Sequence, residues 1–355
     1  MSTLFILVPY SKSSSFRGTP RRAKQIYTLL ASKRRVQLVF RPTLWRDKAS
    51  STTHRIEHLL FYTQIFFLFL FSNPSDTFLC ITQEAAFPIL PALFILSRKV
   101  TVDVHGIYLS EHHSLLKSTK HLHLGLRLLI LSESILFRSN KVSFLFLTLS
   151  QYRFIRMTRK LSIKKDNAKK SLPFILPYKS LLSCPDNSFC RSNPRLLYFG
   201  GAQAWQGLHI LDALIQLESP VLKYIFIHGI NASKKYASCK HLFGGVSSRE
   251  PEPLDFSYGL SFRSHHIRSS HFNFSSKIAY YITHDIIPLV PTTSSEACIA
   301  MEFGGTTFAY DSFSFAHFVE QTVSDHITLY QKRLTLLHHA YYTYFSMQNQ
   351  MLDDI

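Results

Sequence analysis

Cysteine is sparse and unpatterned in this chain of 355 residues: Cys80, Cys184, Cys190, Cys239 and Cys298 are an odd number with no C-x-x-C pair. That argues against a disulfide framework or a zinc site, and the thiols read as reduced, in a cytosolic protein. Long apolar runs are missing too. The most hydrophobic stretch, residues 59–71 (LLFYTQIFFLFLF), has 13 residues and a polar interruption. It falls short of the roughly 20 needed to cross a bilayer and reads as a buried helix of a soluble domain, with insertion at a membrane surface as the alternative. The opening residues, MSTLFILVPYSKSSSFR, put a short apolar run ahead of the positive charges. A signal peptide has the reverse order, so this segment reads as a first strand. Charged residues make up 17% and hydrophobic residues 46%, with 30 Phe and 17 Tyr, which excludes a disordered chain, a collagen-like repeat and a disulfide miniprotein. Neither G-x-G-x-x-G nor G-x-x-x-x-G-K-[ST] occurs, and nicotinamide or ATP binding loses ground accordingly. No Asp-x-Asp tripeptide is present either.

Acidic residues are outnumbered, 22 against 40 Lys and Arg, for a net charge of +18. Residues 1–190 hold 28 basic and 9 acidic residues (+19), and residues 191–355 hold 12 and 13 (−1). The two parts therefore face different partners. The length suits two domains of roughly 100–200 residues each.

Alternating patterns run through both parts. Strands are expected at 3–8, 36–40, 77–81, 100–104 and 143–149, with helices at 20–32, 53–71, 87–96 and 122–137 between them. The pattern restarts with strands at 195–199, 224–228, 257–262, 287–291 and 306–310 and helices at 207–216, 275–283 and 294–301. A largely helical tail follows, over 315–352. Strand and helix in alternation imply an α/β protein with parallel sheets covered on both faces. Residues 162–193, rich in Lys, Ser, Pro and Asn, read as a linker, and two open sheets joined there make a cleft. Ligands of such sheets bind beyond the carboxyl ends of the strands, which directs attention to the loops after Val104, Phe199, Phe262 and Pro291.

The segment LLYFGGAQAWQGLHILDALIQL, residues 196–217, runs from a strand into Gly200-Gly201 and then into a helix. Free backbone N–H groups and the positive helix end there suit a phosphate, while an ordinary strand–turn–helix corner uses a glycine pair equally well. His105, between a buried strand and Gly106, stands at a strand's carboxyl end beside Asp103. That place favours a cleft role, although a lone His in a chain with 18 of them is most often structural.

The chain resembles retaining GT-B glycosyltransferases of the glycosyltransferase 4 type, particularly bacterial surface-polysaccharide enzymes. Strand-Gly-Gly-x-Gln-x-Trp-Gln-Gly before a helix is similar to the start of their nucleotide-sugar domain. Residues 255–263 (DFSYGLSFR) resemble the "ad-x-G-hydrophobic-x-x-R" strand, and residues 275–282 (SSKIAYYI) with 287–290 (IPLV) resemble "P-[ST]-K-x-x-E-Y … P-hydrophobic-hydrophobic". Upstream, residues 102–106 (VDVHG) with Glu111 shortly after resemble "D-x-H-G", while Ser150 falls at the family's "v-S" and Leu176-Pro177 at its "i-P". The likeness extends to about residue 310. Two departures stand out: Tyr280 occupies the place of the acidic residue in "K-x-x-E-Y", with no acidic residue seven positions before it, and Gln206 occupies a place where lysine is common.

The resemblance implies a GT-B fold: two Rossmann-like, doubly wound parallel-sheet domains facing a central cleft. It divides the chain into a basic, acceptor-binding domain (1–165), a linker (166–193), a nucleotide-sugar-binding domain (194–325) and a helical tail (326–355). Donor-site residues implied are Gly200, Gly201, Gln203, Trp205, Gln206, Arg263, Ser276, Lys277 and Tyr280. Arg263 and Lys277 would hold the diphosphate and stabilise charge on the departing nucleotide. Without the resemblance they read as two surface cations. Trp205 either lies over the donor's base or sugar or packs in the core. His265, His266 and His271 sit where donor-sugar contacts are expected. Catalytic candidates are His105 and Asp103, with His105 hydrogen-bonding the donor sugar or reacting centre, and Gly106 and Glu111 face the acceptor; Glu111 alternatively caps the following helix. A retaining transfer needs no carboxylate nucleophile, and no cofactor or metal is expected.

Residues 153–170 (RFIRMTRKLSIKKDNAKK) carry eight basic residues and one acidic one. Such a run is usually a solvated helix and linker. Here the excess continues through Arg17, Arg21, Arg22, Lys24, Lys33, Arg34 and Arg35, a surface that attracts polyanions, either anionic lipid or nucleic acid. No nucleic-acid module accompanies it, so lipid is preferred and no nucleic acid is expected. The expectation is a cytoplasmic transferase, peripheral on the inner face of the membrane. It would move a sugar from a nucleotide diphosphate-sugar to a lipid-linked or growing saccharide of an O-antigen or capsule. The alternative is a GT-B-like binding or scaffold protein that has lost activity through Tyr280 and Gln206; a basic nucleic-acid-binding protein is the third class.

Overall fold

A computed structural model describes residues 2–11, 18–43, 51–93, 95–105, 124–147, 149–159, 168–170, 175–176, 194–202, 206–263 and 276–353. The chain divides into two units, Met1–Ile175 with Asn349–Ile355, and Leu176–Gln348.

In the first unit, six strands form one parallel sheet: β1 Leu4–Ser11, β2 Val36–Arg41, β3 Thr77–Ile81, β4 Lys99–Val104, β5 Val142–Phe146 and β6 Ala168–Lys170, in the order β2-β1-β3-β4-β5-β6. Alternate residues of β1 show why both faces must be covered. Phe5 and Leu7 enter one core with Phe61, Ile65 and Phe69 of the helix Ser51–Phe71, while Leu4, Ile6 and Val8 enter another with Ala23, Ile26 and Leu30 of the helix Gly18–Leu30. The period of two along the strand and of about four along each helix is the geometry of those elements. Leu352, from the last helix of the chain, completes the second core.

The second unit repeats the plan with β7 Leu196–Phe199, β8 Ile225–His228, β9 Gly245–Ser247, β10 Tyr258–Leu260, β11 Ile287–Pro291 and β12 Thr306–Phe308. All pairings are parallel, in the order β12-β11-β10-β7-β8-β9. Numbered from β7, that is the 3-2-1-4-5-6 doubly wound order, which reverses between β7 and β10. The two strands pair at Tyr258↔Leu196 and Gly259↔Leu197, where their register ends. The Tyr281 ring lies over Gly259, where a Cβ would come within 2.4 Å of it. Its hydroxyl is 2.9 Å from the Leu260 carbonyl and 3.2 Å from that of Leu197, and accepts from the Phe199 N–H. One phenol thus bridges both strands where their ladder ends.

Four expectations change. The helix anticipated over 87–96 is a 3-10 run, Gln83–Ile89, followed by the short helix Leu90–Leu93, because Pro88 and Pro91 remove backbone donors. The strand anticipated over 143–149 ends at Phe146, and the helix Leu149–Arg159 starts three residues later. The linker expected from residue 166 contains β6, paired to β5. The helix containing residues 59–71 is not wholly buried: Phe61, Ile65 and Phe69 are inside, whereas Leu59, Leu60, Phe67 and Phe71 are exposed. No described helix is long and apolar enough to cross a membrane.

Candidate functional site

The carboxyl ends of β7 and β10 carry most of the expected donor residues, on the two sides of the point where the sheet order reverses. Gly200 follows β7 with φ +155°, and a Cβ there would lie 2.5 Å from Lys277 Cε. Glycine is what lets the lysine side chain lie along this turn. Lys277 comes from the first turn of the helix Ser276–Thr283, four residues before Tyr281 and hence on the same face. Its ammonium donates to Tyr198 Oη at 3.0 Å and to Gln206 Oε1, and stands 4.2 Å from the Tyr198 ring centroid. The Tyr198 hydroxyl donates to the Gly201 carbonyl at 2.7 Å. Lysine, glycine pair and Gln206 therefore form one cluster, and glutamine in place of a second cation holds the lysine instead of repelling it.

Burial lowers the Lys277 pKa to about 7; Glu296 opposes the shift and Arg263 adds to it. Arg263, three residues past β10, is nearly buried, and its Nη1 lies 3.7 Å from Glu296 Oε1. Its Nε and Nη1 are nevertheless buried without a hydrogen-bond acceptor among the described residues. Unsatisfied guanidinium N–H groups inside a protein cost free energy unless a ligand meets them, and they suit an anionic oxygen. Glu296 is fully buried and accepts from Ser261 Oγ at 2.9 Å.

Sequence reasoning missed Glu296, Tyr198 and Ser261. The available signal for Glu296 was its place as the one acidic residue in the loop after β11. Tyr280, expected among the donor residues, is buried, with its hydroxyl on the Pro251 carbonyl at 3.3 Å and its ring against Phe199 and His284. Ser276 opens the lysine's helix. Gln203, Trp205, His265, His266 and His271 lie outside the described residues.

In the first unit, Asp103 near the end of β4 is fully buried. Arg22 Nε donates to its Oδ2 at 2.5 Å and Nη2 to its Oδ1 at 3.3 Å, and His105 Nε2 donates to Oδ2 at 2.9 Å. Burial alone would raise the Asp103 pKa, but Arg22 and His105 outweigh it and hold the carboxyl below its ordinary range. The other ring nitrogen of His105, Nδ1, lies 3.4 Å from Thr19 Oγ1. Asp103 is thus placed to fix the imidazole's orientation and tautomer. Beside it, Thr82, the residue after β3, has φ +80°, and its N–H donates to the Asp103 carbonyl at 3.0 Å. A β-branched residue in that region is strained by about 1–3 kcal/mol. Gly106 and Glu111 lie outside the described residues. Among the described residues, no group of three His, Cys, Asp or Glu side chains is placed to hold a metal ion.

Two six-stranded parallel sheets covered by helices, one in each unit, are the architecture of GT-B glycosyltransferases, and the chain has that fold. Solved structures agree across its length. Alr3699/HepE of Anabaena in complex with UDP matches at TM-score 0.64 and 14% identity, over 100% of this chain and 99% of that one. A lipopolysaccharide outer core galactosyltransferase, WaaB, in its apo form matches at TM-score 0.59 and 13% identity, over 100% and 98%. TarM of S. aureus, solved as a point mutant in complex with Fondaparinux, alpha-GlcNAc-glycerol and UDP, matches at TM-score 0.56 and 14% identity, over 84% of this chain and 57% of that one. No model of a known family matches the chain, and no curated protein does.

Proposed function

We propose that the chain is a glycosyltransferase whose second unit binds a nucleotide diphosphate-sugar. Arg263 carries the reading: two of its buried nitrogens lack an acceptor among the described residues, and Lys277, which it influences electrostatically, lies along Gly200 where the strand order reverses. An anionic diphosphate is the ligand that such donors await. Similarity to HepE in complex with UDP and with UDP-glucose favours a UDP-sugar. Arg263 and Lys277 hold the diphosphate and take up the charge that grows on the leaving nucleotide, while Glu296 keeps Arg263 in place. Asp103 holds His105 as a hydrogen-bonding group toward the sugar or the reacting hydroxyl. Retention, and a lipid-linked or growing saccharide of a surface polysaccharide as acceptor, follow from the motif resemblance, and no cofactor or metal is invoked. The first unit sits on anionic lipid through its basic surface, at the inner face of the cytoplasmic membrane. Exposed Arg153, Arg156 and Met157 on the helix Leu149–Arg159 and exposed Leu59, Phe67 and Phe71 on the helix Ser51–Phe71 support this.

The test is calorimetry of the purified protein against UDP, GDP, ADP and their common sugars, with the Arg263→Ala and Lys277→Ala variants alongside. One nucleotide series should bind, at least about tenfold more weakly in each variant, as expected for a lost charge-assisted hydrogen bond. Wild-type binding by both variants would dismiss this donor site. Binding without sugar transfer or donor hydrolysis would favour the scaffold reading, with Tyr280 its first suspect.

A further inference from the structure

A second pocket lies in the second unit at the opposite end of the sheet. Tyr258, the first residue of β10, and Thr306, the first of β12, mark it as an amino-end site, away from Gly200 and Arg263 at the carboxyl ends. Its volume is about 240 Å³, smaller than the roughly 300–1,000 Å³ of sites for drug-sized ligands. A nucleotide-sugar is too large for it, and a single sugar ring is of the right size.

The lining settles the ligand's chemistry. Thr307, Gln321, Thr322, Asp325 and Arg333 surround the space, with Phe318 on one wall. Arg333 Nη1 is buried and has no acceptor among the described residues, so it is not bonded to Asp325 within the same pocket. A donor-only guanidinium, an acceptor-only carboxylate and amide and hydroxyl groups that do both match a ligand whose every edge both donates and accepts. One cation balanced by one carboxylate disfavours a phosphate, and the phenyl wall suits the C–H face of a sugar ring.

We propose that this pocket binds one uncharged sugar ring, either a free monosaccharide or a residue of a glycan chain. The site is separate from the one that takes the nucleotide, and its occupation needs no turnover.

Saturation-transfer NMR and calorimetry on the full chain test it with D-glucose, D-galactose, N-acetylglucosamine and maltotriose, and with inorganic phosphate as the charged comparison. At least one sugar should bind, about tenfold or more weakly in Arg333→Met and in Gln321→Ala. Gln321 is exposed, so its variant probes the pocket even where Arg333→Met fails to fold. Lys277→Ala, which disables the nucleotide site, should leave sugar binding as in wild type. Tighter binding of maltotriose than of glucose would support the site as a glycan-chain site, and the reverse would support it as a monosaccharide site. Binding of phosphate alone, no sugar binding at all, or sugar binding untouched by Gln321→Ala in the folded protein would overturn the proposal.

Discussion

An amine taken out of water loses the hydration that favours its charged form, and for Lys277 this brings the pKa from an ordinary 10.5 to about 7. The unfolded chain keeps that proton up to the ordinary value while the folded one releases it near neutrality. Between these limits the unfolded state binds more protons, so stability of the second unit should rise with pH from about 7 toward 10. Chemical denaturation of wild type and Lys277→Met across that range measures the difference, and parallel curves for the two would contradict it. A diphosphate beside the amine restores the charge. Nucleotide binding at pH 8 should therefore take up a proton, seen as different calorimetric heats in two buffers of unlike ionisation enthalpy. Identical heats would mean that the amine does not sense the ligand.

The helix Ser276–Thr283 places both Lys277 and Tyr281, so the donor cluster and the strand junction share one support. Removing the Tyr281 hydroxyl by Tyr281→Phe strips a partner from carbonyls of both strands, at a cost of about 1–3 kcal/mol. A matching fall in thermal stability should come with weaker nucleotide binding, and a variant as stable as wild type would show the bridge to be idle. Legibility differed from element to element. The cores of β1 to β4 and of their counterparts are apolar runs bounded by turn residues, and the sequence pattern marks them to within a few positions. Missed were β6, Ala-Lys-Lys, and β9, Gly-Val-Ser. Both are edge strands held by backbone pairing, with little apolar signal to reveal them, and lysine on an edge is a common guard against aggregation. In the candidate site, Gly200 was singled out by the strand–turn–helix pattern, whereas Arg263 and Lys277 were singled out only by the motif resemblance, since by themselves they read as surface cations. Tyr198 and Glu296 were not, since their part comes from side chains brought together by packing.

The excess of positive charge belongs to residues 1–190, and exposed leucine and phenylalanine of the helix Ser51–Phe71 accompany it. Each basic residue near an anionic bilayer contributes about 1 kcal/mol. Sedimentation with vesicles of phosphatidylglycerol should capture the protein, and about 0.5 M salt should release it by screening. Equal capture by phosphatidylcholine vesicles would remove charge from the explanation. The long helix His326–Asp353 has residues in both units, and Leu352 near its end is buried in a core of the first. Leu352→Ala should cost about 2–5 kcal/mol through the cavity it leaves, with hydrogen exchange quickening in β1. Unchanged exchange there would sever the link.

The same helix determines where the gene can be cut. Expression of residues 1–175 by themselves would omit the leucine that closes one of their two cores, although it stands far along the chain. A soluble, autonomous first unit is therefore better sought by joining residues 349–355 back to it through a short linker than by simple truncation. For the same reason, an affinity tag fused directly behind Asp353 starts close to this packed leucine.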